Sequence, residues 1–333
     1  MPSQLVTIGG QPYDTLVSGG FGFVTYRTGL AVTDTTKFAP QVLYRIPLRT
    51  ANGEALTPDH KHLVVSSGNG AVVYSVSALK HQLPAFVGQL SSPGGRYGVQ
   101  VALSPDGRFA FVTLQHSGQV AVFNLRQALT RGFGPSNLVR TISVGSNPTG
   151  IAASTDGQYM YVAQGLADTS PGLGTLVILD MAKVEKKSGQ PIVHTVDAGC
   201  GPARVSAGGT HVWVTAAGGN ALLAYSAAKL ISDPTHALIA RVALGQAPLG
   251  LVTVNNGKQI VIADSNRFNV RGAVSHLAVV DVSKALARQP ALVGVIKSGT
   301  SPRQFALEPN GTTLLVTNTD SGQVQAVDIS HLP

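Results

Sequence analysis

The ten residues Ser104-Pro105-Asp106-Gly107-Arg108-Phe109-Ala110-Phe111-Val112-Thr113 decide how this chain folds. The Asp-Gly pair tolerates the positive φ angles of a two-residue hairpin turn. The apolar run over residues 109–113 is typical of a buried strand, and a second short apolar run, residues 101–103, precedes the turn. The segment therefore predicts two antiparallel strands joined by a tight hairpin.

This pattern occurs seven times along the chain. The copies of the Phe111-Val112-Thr113 segment start 41, 47, 50, 52, 48 and 54 residues apart, at Phe23, Val64, Phe111, Tyr161, Trp213, Val261 and Leu315. A third strand follows in each copy, for example at residues 276–281, then a polar, partly helical turn and a fourth strand that ends in Gly. A repeat of this length with four antiparallel strands corresponds to one blade of a propeller.

The two ends of the chain complete one blade between them. Residues 5–9, Leu-Val-Thr-Ile-Gly, match a fourth strand, whereas the chain ends just after a third strand at residues 323–328. Pairing of these two strands removes an exposed sheet edge. We therefore expect a single domain over residues 1–333. Its predicted fold is an all-β, seven-bladed β-propeller with four antiparallel strands per blade, in which the N-terminal strand closes the last blade.

Residues 104–113 resemble the SPDG…YVTN signature of the YVTN family of β-propeller repeats, and the resemblance extends over about residues 5–330. It implies a seven-bladed ring. It also implies a relation to exported surface or periplasmic proteins, and to lactonase-like propellers similar to 6-phosphogluconolactonase. Since one fold supports many functions, the resemblance leaves the activity open.

Composition and charge exclude several classes of protein. Hydrophobic residues make up 44% and charged residues 12% of the chain, which is too apolar for a disordered protein. No apolar run reaches the roughly 20 residues that a membrane span needs. The net charge of +8 favours anionic partners, but no Lys/Arg-rich stripe supports nucleic acid as the partner. Because Cys200 is the one cysteine, an intramolecular disulfide is excluded.

Location and oligomeric state follow less directly from the sequence. Residues 1–4 show no signal peptide, although a removed signal would leave the same sequence. The Lys-poor composition and the family resemblance favour a periplasmic or extracellular location, with a cytoplasmic one as the alternative. The expected state is a monomer.

Half of the 14 arginines are expected at one end of the strands, in the loops that enter first strands or join second to third strands. These are Arg27, Arg49, Arg96, Arg204, Arg267, Arg271 and Arg303. The planar guanidinium binds carboxylate or phosphate in bidentate fashion. The sequence thus predicts an Arg-rich channel mouth that binds a small carboxylated or phosphorylated molecule. The alternative is that each arginine pairs with a nearby acid such as Asp264.

A second set of candidates stands near the start of each first strand. This position is Gly53, Gly150 or Gly250 in three repeats, and Asp14, Gln100, Arg204 or Gln304 in the other four. The polar side chains either line the ligand site or form a hydrogen-bond network between blades. The predicted substrate-binding residues are Asp14, Arg96, Gln100, Arg204, Asn266, Arg267, Arg303 and Gln304.

Catalysis is the alternative use of the same mouth. Two long loops, residues 164–175 and 264–276, are places where sites tend to be built. Asp264, His276 and His116 are the candidates for moving a proton in a lactonase-like hydrolase or cyclase. The sequence has no nucleophile elbow, phosphate loop or zinc-type spacing, so no cofactor or metal is predicted. A protein-interaction scaffold is the third interpretation.

Overall fold

The computed structural model describes residues 2–165, 173–186 and 189–333. Over these residues the chain forms seven four-stranded sheets, the arrangement of a seven-bladed β-propeller. The predicted fold class is therefore confirmed. Each of the seven segments that start between Phe23 and Leu315 lies in the second strand of a sheet.

The sheets are numbered here in chain order. The chain starts with β1 (Ser3–Thr7), and the strands of sheets 1 to 3 are β2 (Pro12–Ser18), β3 (Phe21–Tyr26), β4 (Gly29–Asp34) and β5 (Gln41–Pro47), then β6 (Glu54–Leu56), β7 (His62–Ser67), β8 (Gly70–Ser75) and β9 (Phe86–Ser91), then β10 (Gly98–Leu103), β11 (Phe109–Leu114), β12 (Gln119–Asn124) and β13 (Leu138–Ser143).

The strands of sheets 4 to 7 follow in the same manner. They are β14 (Pro148–Ala153), β15 (Tyr159–Gln164), β16 (Leu173–Asp180) and β17 (Ile192–Cys200), then β18 (Pro202–Gly208), β19 (His211–Ala216), β20 (Ala221–Ser226) and β21 (Leu238–Ala243), then β22 (Pro248–Val254), β23 (Gln259–Asp264), β24 (His276–Asp281) and β25 (Leu292–Lys297), and finally β26 (Pro302–Leu307), β27 (Thr313–Asn318) and β28 (Gln323–Asp328).

Sheet 7 has the predicted closure. Its order is β1-β28-β27-β26, and β1 pairs antiparallel with β28 from Ser3 opposite Val327 to Thr7 opposite Gln323. The N-terminal strand therefore supplies the fourth strand to three strands from the C-terminus.

Short helices connect third to fourth strands in sheets 2 to 6. They are α1 (Val76–Lys80), α2 (Leu125–Arg131), α3 (Met181–Glu185), α4 (Ala227–Ser232) and α5 (Val282–Leu286). The residue that ends each third strand caps the helix: the Asp281 carboxylate, for instance, accepts from the Lys284 N–H at 2.9 Å. Single 3₁₀ turns occur at Gln115–Ser117, Pro135–Asn137, Pro234–His236 and Asn255–Gly257. None of the helices in the described residues has the length and apolar character to cross a membrane.

The chain divides into two compact units. Unit 1 comprises residues 1–51, 215–224 and 238–333, and unit 2 comprises residues 52–214 and 225–237. Sheets 1, 6 and 7 belong to unit 1 and sheets 2 to 4 to unit 2, whereas the boundary runs through β19 and β20 of sheet 5. The single domain over residues 1–333 stays a prediction.

The core of each unit lies between the faces of successive sheets. In unit 2, Val64 of β7 packs in one cluster with Val112 and Phe123 of sheet 3. In unit 1, Val261 of β23 does the same with Val316 of β27. Because second strands are covered on both faces, they form continuous apolar runs, whereas the fourth strand β5 alternates exposed and half-buried residues.

The loop between β10 and β11 differs from the predicted two-residue hairpin. It has five residues, and the Ser104 hydroxyl donates to Asp106 Oδ1 at 2.6 Å while accepting from the Phe109 N–H at 2.9 Å. Asp106 Oδ1 also accepts from the Arg108 N–H at 3.0 Å, and Gly107 has a φ of 66°. The Ser and Asp side chains satisfy backbone groups that a two-residue turn would pair directly, which makes the longer loop stable.

Candidate functional site

The structure distributes the predicted site residues between the two units. Unit 1 holds Asp14, Asp264, Asn266, Arg267, His276, Arg303 and Gln304, and unit 2 holds Arg96, Gln100, His116 and Arg204. Residues 166–172 of the loop over residues 164–175 lie outside the described residues.

Two details of the predicted placement were wrong. Arg204 and Arg303 lie within first strands, β18 and β26, and not in the loops that enter them. Asp264 ends β23 and His276 begins β24, so this pair belongs to the sheet rather than to the loop between the strands. Strand residues are held more rigidly than loop residues, because pairing with a neighbouring strand fixes the backbone.

First strands of successive sheets contact each other within each unit. In unit 2, a Cβ on Gly53 would lie 2.7 Å from Gln100 Oε1, and a Cβ on Gly150 would lie 2.7 Å from the Arg204 Cα. Glycine in one sheet therefore makes room for the polar residue at the same position of the next sheet. The alternation of Gly and polar residues that the sequence shows is a packing requirement.

Unit 1 repeats this arrangement between sheets 6 and 7. A Cβ on Gly250 would overlap the carbonyl oxygen of Arg303 and would lie 2.6 Å from Gln304 Oε1. In each of three pairs, a glycine of one sheet thus lies against the polar residue at the same position of the next sheet. The pairs are Gly53 with Gln100, Gly150 with Arg204 and Gly250 with Gln304.

Threonine hydroxyls of the second strands accept hydrogen bonds from the backbone at these same positions. The N–H groups of Asp14, Gln100 and Gln304 donate to Thr25, Thr113 and Thr317 Oγ1 at 3.1, 3.0 and 3.0 Å. Two of these hydroxyls reach the next sheet, Thr113 to the Thr149 carbonyl at 3.3 Å and Thr317 to the Tyr13 carbonyl at 3.4 Å. This role of the threonines was not predicted, although Thr recurs at the third position of the repeated segment.

Asp14 and Arg204 are charged residues buried among these strands. The Asp14 carboxylate accepts from the Thr15 N–H at 2.9 Å, and Arg204 Nη1 donates to the Ala203 carbonyl at 3.0 Å. Only 3% of Asp14 and 5% of Arg204 is exposed, which makes a purely solvated role impossible. Gln100 is also buried. Both contacts lie within the residue's own strand, so the ligand lining and the hydrogen-bond network between blades both stay predictions.

Arg303 is positioned by an aromatic ring. Its guanidinium carbon lies 3.6 Å from the centre of the Tyr13 ring, in a cation–π stack within unit 1. Stacking restrains the long side chain at the start of β26, two residues after Ser301, whose hydroxyl donates to Asp320 Oδ2. Arg303 is therefore a preorganised cation beside the loops of sheets 6 and 7.

Asp264 and His276 form the one predicted catalytic pair that the structure brings together. His276 Nε2 lies 3.0 Å from Asp264 Oδ2, which also accepts from the Gly245 N–H at 2.9 Å. A Cβ on Gly245 would lie 2.7 Å from both Asp264 Oδ2 and His276 Cε1. The contact therefore needs glycine at this position, a feature that the sequence signals only as the Gly after a fourth strand.

The contacts of His276 favour the protonated form of its ring. Nδ1 lies 3.0 Å from the Val274 carbonyl, which can only accept, and Nε2 faces the carboxylate. Both partners accept hydrogen bonds from a protonated ring, so this arrangement favours the imidazolium over the neutral ring. The hydrogen bond to Asp264 raises the pKa of His276, an effect larger than the opposing desolvation. With both nitrogens engaged, the ring has no free lone pair to act as a base in this arrangement.

We expect Asp264→Asn to lower the pKa of His276, because it removes the charge that stabilises the imidazolium. The measurement is an NMR titration of the His276 ring. Since the folded pKa is raised, the pair contributes stability fully below the ordinary value of about 6.5, and this contribution is lost as pH rises through the folded value. The difference in Tm between the parent and Asp264→Asn should thus be larger at pH 6 than at pH 9. Asp281→Asn, at the other end of β24, is the control and should leave the His276 titration in place.

The remaining candidates lie in two separate loops. In unit 2, the His116 ring stacks on Tyr97 with centres 4.5 Å apart, and the His116 N–H donates to the Arg96 carbonyl at 3.2 Å. In unit 1, Asn266 Nδ2 donates to the Ala273 carbonyl at 3.1 Å, and its Oδ1 accepts from the Val270 N–H at 3.0 Å. The Asn266 amide thus braces its own loop. No group of three or more His, Cys, Asp or Glu side chains in the described part of the chain is arranged to hold a metal ion.

Comparisons with known proteins support the fold alone. No protein-family model matches the chain, and no curated protein matches it. Among solved structures, a chain of hydrazine synthase from Kuenenia stuttgartiensis is similar with a TM-score of 0.73 at 16% identity, covering 96% of each chain. A chain of the mitotic checkpoint complex is similar with a TM-score of 0.75 at 14% identity, covering 98% of this chain and 91% of the other. At such identities the likeness extends to the β-propeller fold and not to activity.

Proposed function

We propose that this chain binds a small anionic molecule, carboxylated or phosphorylated, at the ends of sheets 6 and 7 where β22 and β26 begin. The cationic groups of this site are Arg303, Arg267 and Arg271. Arg303 is held by Tyr13, and the other two are carried by the loop between β23 and β24. Guanidinium groups on fixed supports suit bidentate binding of carboxylate or phosphate.

The observation that carries the proposal is the Asp264–His276 ion pair. Asp264 is the one acidic residue between residues 264 and 276, and its carboxylate contacts the His276 imidazolium. With His276 protonated the charges of this pair offset each other, and with His276 neutral the two arginines still outnumber Asp264, so the segment is positive in either state. A positive segment beside Arg303 concentrates anions through its electrostatic potential.

The lactonase-like hydrolase or cyclase is the second candidate. The buried Asp264 beside His276 favours it, since a carboxylate that orients an imidazole is a common catalytic unit. The engaged Nδ1 and Nε2 weigh against it, because a general base needs an open nitrogen. Hydrolysis of lactones above the uncatalysed rate, lost in His276→Gln, would place this candidate first.

Membership of the YVTN family, an exported location and a monomeric state belong to the same proposal. The segment over residues 104–113 supports the first, and the Lys-poor composition supports the second. Sedimentation equilibrium would measure the oligomeric state directly.

We expect a thermal-shift screen to identify the ligand class. The panel contains small carboxylates, phosphorylated sugars, inorganic phosphate and lactones, each with and without calcium. Binding to the folded state alone stabilises it by about 2.7 kcal/mol at a ligand concentration a hundredfold above Kd, which raises Tm. Arg303→Gln should abolish most of this shift.

The control is Arg131→Gln at the end of α2, which removes the same charge from an exposed helix. It should leave the shift unchanged. Arg204→Gln, measured in the same way, tests whether the buried Arg204 of unit 2 contributes to anion binding. If Arg303→Gln and the parent show equal shifts, the proposed site is wrong, and if no ligand shifts Tm, the scaffold interpretation takes its place.

A further inference from the structure

The loop between β23 and β24, residues 265–275, exposes a group of large apolar side chains. The exposed fractions are 39% for Phe268, 41% for Val270 and 77% for Val274. Three such side chains within seven residues are unusual for a surface loop. Exposed large apolar side chains grouped on one loop mark a place where a protein can bind.

The backbone of this loop is fixed by its own hydrogen bonds. Asn266 Nδ2 donates to the carbonyls of Val270 and Ala273 at 3.4 and 3.1 Å, and Asn266 Oδ1 accepts from the Val270 N–H at 3.0 Å. Asn269 and Gly272 have φ angles of 52° and 81°, in the left-handed region that these residue types tolerate. The apolar side chains therefore project from a segment whose backbone conformation is held by hydrogen bonds.

The first end of the loop is also tied to the segment that precedes β22, and the last end is tied to the first. The Ser265 hydroxyl donates to the Ala247 carbonyl at 2.6 Å, and the Asn266 N–H donates to the Gln246 carbonyl at 2.8 Å. The Ser275 hydroxyl donates to the Ser265 carbonyl at 2.9 Å and closes the base of the loop. A partner that binds here has little backbone left to order, which lowers the entropic cost of association.

The charge of the loop indicates the chemistry of that partner. Residues 265–275 contain Arg267 and Arg271 and no acidic residue. The Arg267 guanidinium carbon lies 5.4 Å from the centre of the Phe268 ring. A partner that contacts this ring therefore meets a positive charge beside it, which a carboxylate would complement.

We propose that residues 265–275 dock an acidic protein segment whose apolar side chains cover Phe268, Val270 and Val274. A fixed backbone with a mixed apolar and cationic surface suits a partner of defined shape. A lipid surface has no such shape, and two arginines with three apolar side chains give only weak membrane attachment. This docking site goes beyond the proposed anion site, which uses the arginines but none of the three apolar side chains.

The test is a selection of random twelve-residue peptides displayed on phage against the full chain. Enriched peptides should combine Asp or Glu with large apolar residues. Synthetic versions of them should bind the Phe268→Ser/Val274→Ser variant at least tenfold more weakly than the parent in fluorescence polarisation. Asn266→Ala should weaken binding as well, because it releases the brace while leaving the apolar side chains in place.

The matched control is Leu238→Ser/Val295→Ser, which removes two exposed apolar side chains from fourth strands of unit 1. It should bind the peptides as the parent does. Val274→Ser alone should weaken peptide binding and leave the thermal shifts with small anions unchanged, because it keeps the contact between Arg267 and Phe268, and this separates the proposal from the proposed function. Equal binding to parent and variant, enrichment without acidic residues, or no enrichment would overturn the proposal. Binding to vesicles of phosphatidylcholine and phosphatidylserine that depends on Phe268 and Val274 would replace it with a membrane surface.

Discussion

A chain that lacks residues 2–10 is expected to lose most of its free energy of unfolding. The deletion removes β1, which pairs with β28 along five residues, and leaves an open edge on sheet 7. It also removes the fully buried Ile8, which packs with Val24 and Leu315. Domains are stable by only about 5–15 kcal/mol, so the loss of a strand and a core side chain is a large part of the total.

Thermal unfolding followed by circular dichroism, with size-exclusion chromatography to detect aggregation, measures this effect. Two point variants separate the core contribution from nonspecific damage to the strand. Ile8→Ala should cost about 2–5 kcal/mol, as for other buried aliphatic side chains. Leu5→Ala, at an exposed position of β1, should stay within about 0.5 kcal/mol of the parent. A truncated chain that melts within a few degrees of the parent would show that β1 does not close sheet 7.

The second large effect is expected for Gly250→Ala. The new methyl group would overlap the Arg303 carbonyl oxygen and approach Gln304 Oε1. The overlapping atom belongs to the backbone rather than to the end of a flexible side chain, so β22 and β26 must separate to relieve the overlap. Overpacking of this kind costs about 1–3 kcal/mol, and backbone contact places this case at the upper end.

Urea unfolding gives the free-energy difference. The control is Gly208→Ala, since a Cβ on this last residue of β18 would meet no atom within 4 Å. It should be neutral or slightly stabilising, because alanine lowers the conformational entropy of the unfolded chain. If the two variants unfold at the same urea concentration, β22 and β26 are not in close contact at Gly250.

The fold could be predicted from the sequence because each repeat carries its own local signals. The run Phe109–Leu114 is continuously apolar since both faces of a second strand are covered, and Gly107 marks the turn before it. Seven copies of one pattern give the number of sheets, and the unmatched strands at the two ends give the closure. The length of the turn was predicted wrongly, because the side chains of Ser104 and Asp106 replace backbone pairs.

The candidate site could be predicted from the sequence only in part. The sequence placed Asp264 and His276 at the two ends of one loop, but only strand pairing brings them to 3.0 Å with the Gly245 N–H beside them. Likewise, the alternation of Gly250 with Gln304 is visible as a pattern, whereas its cause is the approach of two strands far apart in sequence.

The sequence by itself determined the repeat, the strand order within each sheet and the closure by β1, because hydrophobic periodicity and turn residues act over a few neighbouring positions. Only the tertiary structure decided which polar groups meet, since contacts such as Arg303 with Tyr13 join residues almost the whole chain apart. It also decided that the surroundings of His276 favour its imidazolium form, because protonation depends on the acceptors around the ring as well as on the residue type.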